Sequence, residues 1–528
     1  MDSDINLKQF KDLVLADYRL AFSGREMRRA ALVEADCHYV TKGSDVAQVA
    51  LARFAAEGDA YVSAGLDLSA SLVRGEVTGA DFFKSIFSSA YDLFCHGAPS
   101  RLSVAVGMAL ADASTGQAQG DRRVVICSAT GDFGSNGDFL EAVCYAAARS
   151  LPLCIVLWNN NGVTPNGNLM RQLSGFGLAP GGRKTLNIES AKGGDYPALC
   201  RVMRRQVDVA RSGCTALTFV SGDEADVDSF GSWLVEKQIA SREQLDDIEA
   251  RVRQEVERLR RAAYLTSLVD DTPVRHPHRS LMDIGGLCGQ SALPVMRMPA
   301  DYGSINKAIG VALSGVYPVV EASAAEASAS LLAQYPGVPL IVRSTDIEAG
   351  AFLSATSDSA EVYAPVASAE AASVYASLFA RPRQAVVLEP GFDDSVRKPA
   401  PASAAPAVKL SVGEDATVVS FGLASRHAAD AVRLLEAQKL RVDLIHLGSL
   451  RPLDPDGLVA ASLRKTKRLA IVDTDPSGLS ARLVIAGLAL ASEAMRHLMA
   501  EPVVVRPQSS LRPVEPHDVC LAVAKLVG

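Results

Sequence analysis

Residues Gly131–Gly162, GDFGSNGDFLEAVCYAAARSLPLCIVLWNNNG, decide the fold class of this chain. They read as an acidic turn, a helix, a strand and a polar turn. The apolar run Val124–Ala129 just before them reads as a strand ending at Gly131-Asp132. Phe139, Leu140, Val143, Cys144 and Ala147 recur at helical spacing, and Leu153–Leu157 is a second apolar strand that ends at Asn159-Asn160. Two buried parallel strands joined by a crossover helix bring both turns to one edge of the sheet. That edge, beyond the carboxyl ends of the strands, is where open α/β sheets take ligands. There Asp132 supplies a carboxylate and Asn160 a neutral amide oxygen, donors that suit a hard cation able to hold a diphosphate.

Length and composition bound the rest. A chain of 528 residues suggests three or four domains, and 48% apolar with 21% charged residues gives an ordinary globular balance with ample core. A net charge of −7 offers no basic surface for nucleic acid. The nine cysteines are scattered, several inside apolar runs such as Val125-Ile126-Cys127, with no CxxC pair. This argues for packed, reduced thiols in the cytoplasm. The start, MDSDINLKQFKDLVLADYRL, reads as a charged amphipathic helix rather than a signal peptide, and the apolar runs are too short or interrupted to span a bilayer.

The pair of turns resembles the thiamine diphosphate motif, GDG followed some 25–30 residues later by NN. It is most similar to the decarboxylating first component of 2-oxo acid dehydrogenase complexes. That resemblance implies a cofactor, thiamine diphosphate, bridged to the protein by Mg²⁺. It assigns the metal to Asp132, Asn160 and the carbonyl of Gly162, with Gly131, Phe133 and Gly134 in the cofactor-binding turn. Asn136, the Phe-Leu-Glu-Ala run at 139–142 and Leu151-Pro152 belong to the match. Phe133 departs from it, standing where the family has Gly, and the segment is one residue short.

Three blocks follow along the chain. The first, 1–270, holds the motif and closes on LVEKQIASREQLDDIEARVRQEVERL, which resembles the end of the family's α chain. Here Ser241 and Gln244 form a capping-box pattern, and Leu245, Ile248, Val252, Val256 and Leu259 fall on one helical face. The second, 272–395, includes MPADYGSINKAIGVALSGVYPVVE, which resembles the start of the β chain. RKPAPASAAPA makes 396–407 a linker. The third, 408–528, contains HLGSLRPLD, similar to the family's C-terminal domain, and Asp454-Pro455 predicts a helix start. The resemblance therefore covers nearly the whole chain as a fused α–β arrangement. It implies an α/β protein of three doubly wound domains, two of the thiamine diphosphate-binding fold and one transketolase C-terminal-like. It also implies a homodimer, because the diphosphate and pyrimidine halves of the site lie on different blocks.

Further site residues follow from the same comparison. The family's Glu that hydrogen-bonds N1′ of the aminopyrimidine aligns with Asp301, a carboxylate reaching ~1 Å less far. Glu321 reads more simply as a strand-end acid. In FCHGAPSRLSVAVG, His96 suits proton donation or substrate contact, and Gly97 and Ser100 bring backbone groups near the pyrimidine. Arg101 suits an anion or the surface, while His276 and His278 lie in a polar linker. Ala324 replaces a family aromatic, Leu66 a diphosphate-binding Arg, and GAFLSATSDSAE lacks the His that serves lipoyl transfer. The expected function is decarboxylation of a 2-oxo acid with transfer of the acyl or carbanion unit to an acceptor. Carboligation is favoured over service to a lipoyl-domain partner. Transketolase-type two-carbon transfer and a non-catalytic scaffold are the alternatives, and intact Asp132 and Asn160 argue against the scaffold.

Overall fold

The computed structural model describes residues 7–34, 44–63, 67–87, 98–114, 123–130, 137–159, 185–222, 224–267, 295–298, 304–393, 395–396, 407–454, 456–507 and 514–528. The chain divides into two compact units, Met1–Asp283 and Ile284–Gly528.

The first unit runs α1 (Leu7–Glu34), α2 (Asp45–Phe54), β1 (Ala60–Ser63), α3 (Leu68–Arg74), α4 (Gly79–Phe87), α5 (Ala98–Ser114), β2 (Val125–Thr130), α6 (Gly137–Ala148) and β3 (Leu153–Asn159). It continues with β4 (Leu186–Lys192), α7 (Tyr196–Arg211), β5 (Thr215–Ser221), α8 (Asp226–Glu236) and α9 (Arg242–Ser267). The sheet order is β1-β2-β3-β5-β4, and every pairing is parallel. Such strands are buried on both faces, which is why they read as unbroken apolar runs. Ile126, Val156, Trp158 and Val220 face a core shared with α1, α2, α3, α7 and α8. Helices α5 and α6 pack on each other beside the same sheet.

Helix α1 is central rather than peripheral. Its Tyr18 and Phe22 are buried, and Tyr18 meets Phe230 edge-on at 5.5 Å while Phe230 stacks on Tyr196 at 4.2 Å. Buried Asp17 accepts from the Tyr196 hydroxyl at 2.5 Å and pairs with Arg53, so its charge is met rather than stranded. The charged helix α9 packs on α1 and α4 of its own unit. Its predicted face is the one that packs: Leu245, Val252 and Val256 are buried, with Ile248 and Leu259 against the same core. Both halves of its capping box form, Gln244 N–H to Ser241 Oγ at 3.2 Å and Ser241 N–H to Gln244 Oε1 at 2.9 Å.

The second unit holds two sheets. Its first half runs β6 (Val295–Met298), α10 (Ser304–Leu313), β7 (Tyr317–Glu321), α11 (Ala324–Ala329), β8 (Ile341–Ser344), α12 (Ala349–Ala355), β9 (Glu361–Tyr363), α13 (Ser368–Ala380) and β10 (Ala385–Leu388). The remainder is β11 (Ala407–Ser411), β12 (Ala416–Phe421), α14 (Ala424–Ala437), β13 (Val442–Leu447), β14 (Ser449–Arg451), α15 (Leu458–Thr466), β15 (Leu469–Val472), α16 (Leu479–Ala491), β16 (Val503–Val505) and α17 (Pro516–Val527). One sheet is ordered β14-β9-β10-β8-β7-β6 and the other β11-β13-β12-β15-β16, with only β14 and β11 antiparallel to their neighbours.

Strand β14 ties the two layers together, since it follows β13 in the chain yet extends the sheet of β9. Arg451, at its end, donates to the carbonyls of Leu353 and Ser357 and to Thr356 Oγ1, each at 2.8 Å. It thereby satisfies the carboxyl end of α12. Buried His446 of β13 lies 3.2 Å from the Glu370 carboxylate of α13 and 2.7 Å from Ser425 Oγ of α14. Ala407, the last residue of the expected linker, is already the first of β11. The helix expected from Asp454 begins instead at Leu458. Asp454 adopts φ 46°, and its carboxylate reaches forward to accept from the amides of Val459 and Ala460. The residue caps the helix from across a turn rather than from the position before it.

Candidate functional site

Parallel register builds one edge of the first sheet into a shelf. Thr130, the last residue of β2, is opposite Trp158 of β3, and Ser63, the last of β1, is opposite Ser128. The carboxyl ends of β1, β2 and β3 therefore open side by side. The chain continues from them into Gly131-Asp132-Phe133-Gly134 and Asn160, in the order that the motif needs. Those residues lie outside the described ones, as do Gly162, His96, Gly97, Leu66, Asp301, His276 and His278. Ser100 stands in the first turn of α5, with its backbone alone described. Among the described residues, no group of three or more His, Cys, Asp and Glu could hold a metal ion.

Around that edge the charges are inside the protein. Arg101, in the first turn of α5, is buried rather than on the surface, and it donates from Nη1 to the Ser63 carbonyl at 3.1 Å. A guanidinium and the amino end of a helix thus stand where β1 ends, a setting suited to an anion. Beyond β4 and β5 the same edge is filled. The carboxylate of Asp226, in the first turn of α8, packs so closely on Gly193 and Gly222 that a Cβ there would meet it at 2.0 and 2.1 Å.

Asp67 is the residue that sequence reasoning missed. It is 1% exposed and accepts hydrogen bonds from side chains on three adjacent strands. The donors are Tyr61 Oη of β1 at 2.7 Å, Ser128 Oγ of β2 at 2.5 Å and Trp158 Nε1 of β3 at 3.1 Å. The indole N–H can only donate, so the Asp67 carboxyl is the acceptor in that bond. Burial, and then the Asp67 charge, push the Tyr61 phenol well above its ordinary range, which keeps it a donor. Burial and the same charge push the Cys127 thiol up to about 12, so it is no thiolate at neutral pH. In sequence it reads as an ordinary helix cap, but in the structure Asp67 occupies the position before α3 and makes no cap hydrogen bond. Such a cap typically contributes about 1 kcal/mol, so its absence marks a tertiary demand on the side chain.

In the second unit, Glu321 ends β7 between two arginines, Arg343 at 2.9 Å and Arg297 at 3.0 Å. Arg297 above all holds its carboxyl below the ordinary range. It is a paired strand-end acid. Ala324 is buried and opens α11, and its amide donates to Asp346 at 2.6 Å.

Residues 406–517, which include the sheet of β11–β16, match the transketolase C-terminal domain. Among solved structures, a transketolase mutant from Pichia stipitis in complex with xylulose 5-phosphate aligns over 97% of each chain with a TM-score of 0.62 at 12% identity. The transketolase of Leishmania mexicana aligns over 99% of this chain and 97% of its own, with a TM-score of 0.59 at 12% identity. That of Campylobacter jejuni covers 99% of both at a TM-score of 0.55 and 14% identity. A local similarity is higher: 43% identity over 61 residues to the β subunit of the pyruvate dehydrogenase E1 component of Rhizobium meliloti. It spans 12% of this chain and 13% of that protein.

Proposed function

We propose that the chain is a thiamine diphosphate- and Mg²⁺-dependent enzyme that decarboxylates a 2-oxo acid and passes the acyl or carbanion unit to an acceptor. The observation that carries this reading is the register of β2 and β3, which brings the strand ends before Asp132 and Asn160 together at one sheet edge. The donor set fits the group: a carboxylate, an amide oxygen and a carbonyl are hard oxygen ligands for Mg²⁺, and buried Arg101 adds positive charge for a diphosphate.

When bound, thiamine diphosphate supplies a nucleophilic thiazolium carbon and its own amino base, so the protein's work is binding, orientation and polarisation. In this reading Asp132, Asn160 and the carbonyl of Gly162 hold the metal, with Gly131, Phe133 and Gly134 forming the turn around it. Asp301 would hydrogen-bond N1′ of the aminopyrimidine. Gly97 and Ser100 offer backbone groups to it, and His96 donates a proton or contacts substrate. The lack of a His in GAFLSATSDSAE favours a small-molecule acceptor over a lipoyl arm.

Two-carbon ketol transfer is the second reading, favoured by the end-to-end match to transketolases. A calorimetric titration with thiamine diphosphate, with Mg²⁺ and again with EDTA, tests the cofactor. Metal-dependent micromolar binding is expected. The bound protein is then offered 2-oxo acids with aldehyde acceptors, and separately ketose phosphates. CO₂ release supports decarboxylation, and transfer from the ketose supports the second reading. An absence of binding in both titrations leaves a fold kept for protein partners.

A further inference from the structure

We infer that Asp67 is a positioning residue for this site: its carboxylate locks the carboxyl ends of β1, β2 and β3 at the spacing that metal and diphosphate binding require. The inference rests on the cofactor reading above.

Three observations carry it. The carboxylate is buried and spans three strands through Tyr61, Ser128 and Trp158, all on the first unit's sheet. Ser128 and Trp158 precede Gly131 by three residues and Asn160 by two, so the tie sits at the roots of both candidate ligand turns. The same strands carry a second buried carboxylate at their other end. Asp59, 4% exposed, accepts from the amides of Ala56 and Val124, both at 2.8 Å, and pairs with Arg211 at 2.6 Å. Asp59 precedes β1 and secures the amino ends, far along the strands from the ligand edge. Two buried acids thus hold opposite ends of one sheet, and only one of them neighbours the proposed site. Residues that orient metal ligands without touching the metal typically change affinity ten- to a hundredfold when replaced.

The experiment compares Asp67→Asn with Asp59→Asn in the full chain, by thermal unfolding and by calorimetry with thiamine diphosphate and Mg²⁺. Both variants are expected to lower the unfolding midpoint. Asp67→Asn is expected to weaken metal-dependent binding tenfold or more, and Asp59→Asn less than twofold. Should Asp67→Asn fail to fold, Trp158→Phe and Ser128→Ala, each removing one donor, are expected to weaken binding at least threefold. Unchanged binding in the Asp67 set, or equal losses from both ends of the sheet, overturns the positioning role and leaves the cofactor reading standing. Failure of the unaltered protein to bind overturns both.

Discussion

Asp443 illustrates how a single side chain carries pH dependence in this protein. Burial raises its pKa, but donors from Ser462, the Gly413 amide, Lys409 and Lys465 outweigh burial and hold it at about 2. An unfolded Asp titrates near about 4. The folded pKa is the lower one, so the group stabilises the fold above the unfolded value and loses that contribution as pH falls from about 4 to about 2. The unfolding midpoint of the second unit should drop through that window, and Asp443→Asn should flatten the drop while lowering the midpoint at neutral pH. At the candidate site the tests are binding and turnover. Asp132→Ala should abolish Mg²⁺-dependent binding of thiamine diphosphate in calorimetry. Asp301→Ala should bind within a fewfold of the parent yet lose turnover, and full activity in that variant would remove Asp301 from its proposed role. Asp132 and Asn160 stand out in the sequence because residue type and spacing carry the chemistry proposed for them. Asp67 does not, because nothing local distinguishes an acid that caps its helix from one turned onto three strands.

Among the elements, helix ends and close contacts set the stability. The α9 capping box and buried face were readable from a 3.6-residue period and a Ser–Gln pair three apart, since both depend on neighbours in sequence. Replacing Ser241 with Ala should cost about 1 kcal/mol, seen as a lower urea midpoint. The close contact at Gly448 was not readable. A Cβ there would meet Glu370 Oε1 at 2.1 Å, where that carboxylate also faces His446 and the Val366 amide. Gly448→Ala should destabilise the second unit by about 1–3 kcal/mol by overpacking. Far-UV circular dichroism is the measurement. Both tryptophans, Trp158 and Trp233, lie in the first unit, so their emission reports that unit directly.

For the whole molecule, the proposed homodimer with two sites predicts a mass twice that of the 55.7 kDa chain in gel filtration with light scattering. A monomer that turns over would rule out the shared-site arrangement. The amino-acid sequence by itself determined the class of fold and the order of its layers. Apolar runs of strand length, crossover helices and turn residues are local signals, and parallel α/β sheets are built from them by a nearly obligatory handedness. It also singled out the pair of turns carrying Asp132 and Asn160. Only the tertiary structure decided which distant partners meet: β14 joining the sheet of β9, Arg451 closing α12, Arg101 drawn inside to Ser63, and Asp67 bridging three strands. Those pairings bring together residues from distant parts of the chain, and burial of a charge is tolerated only where such partners converge.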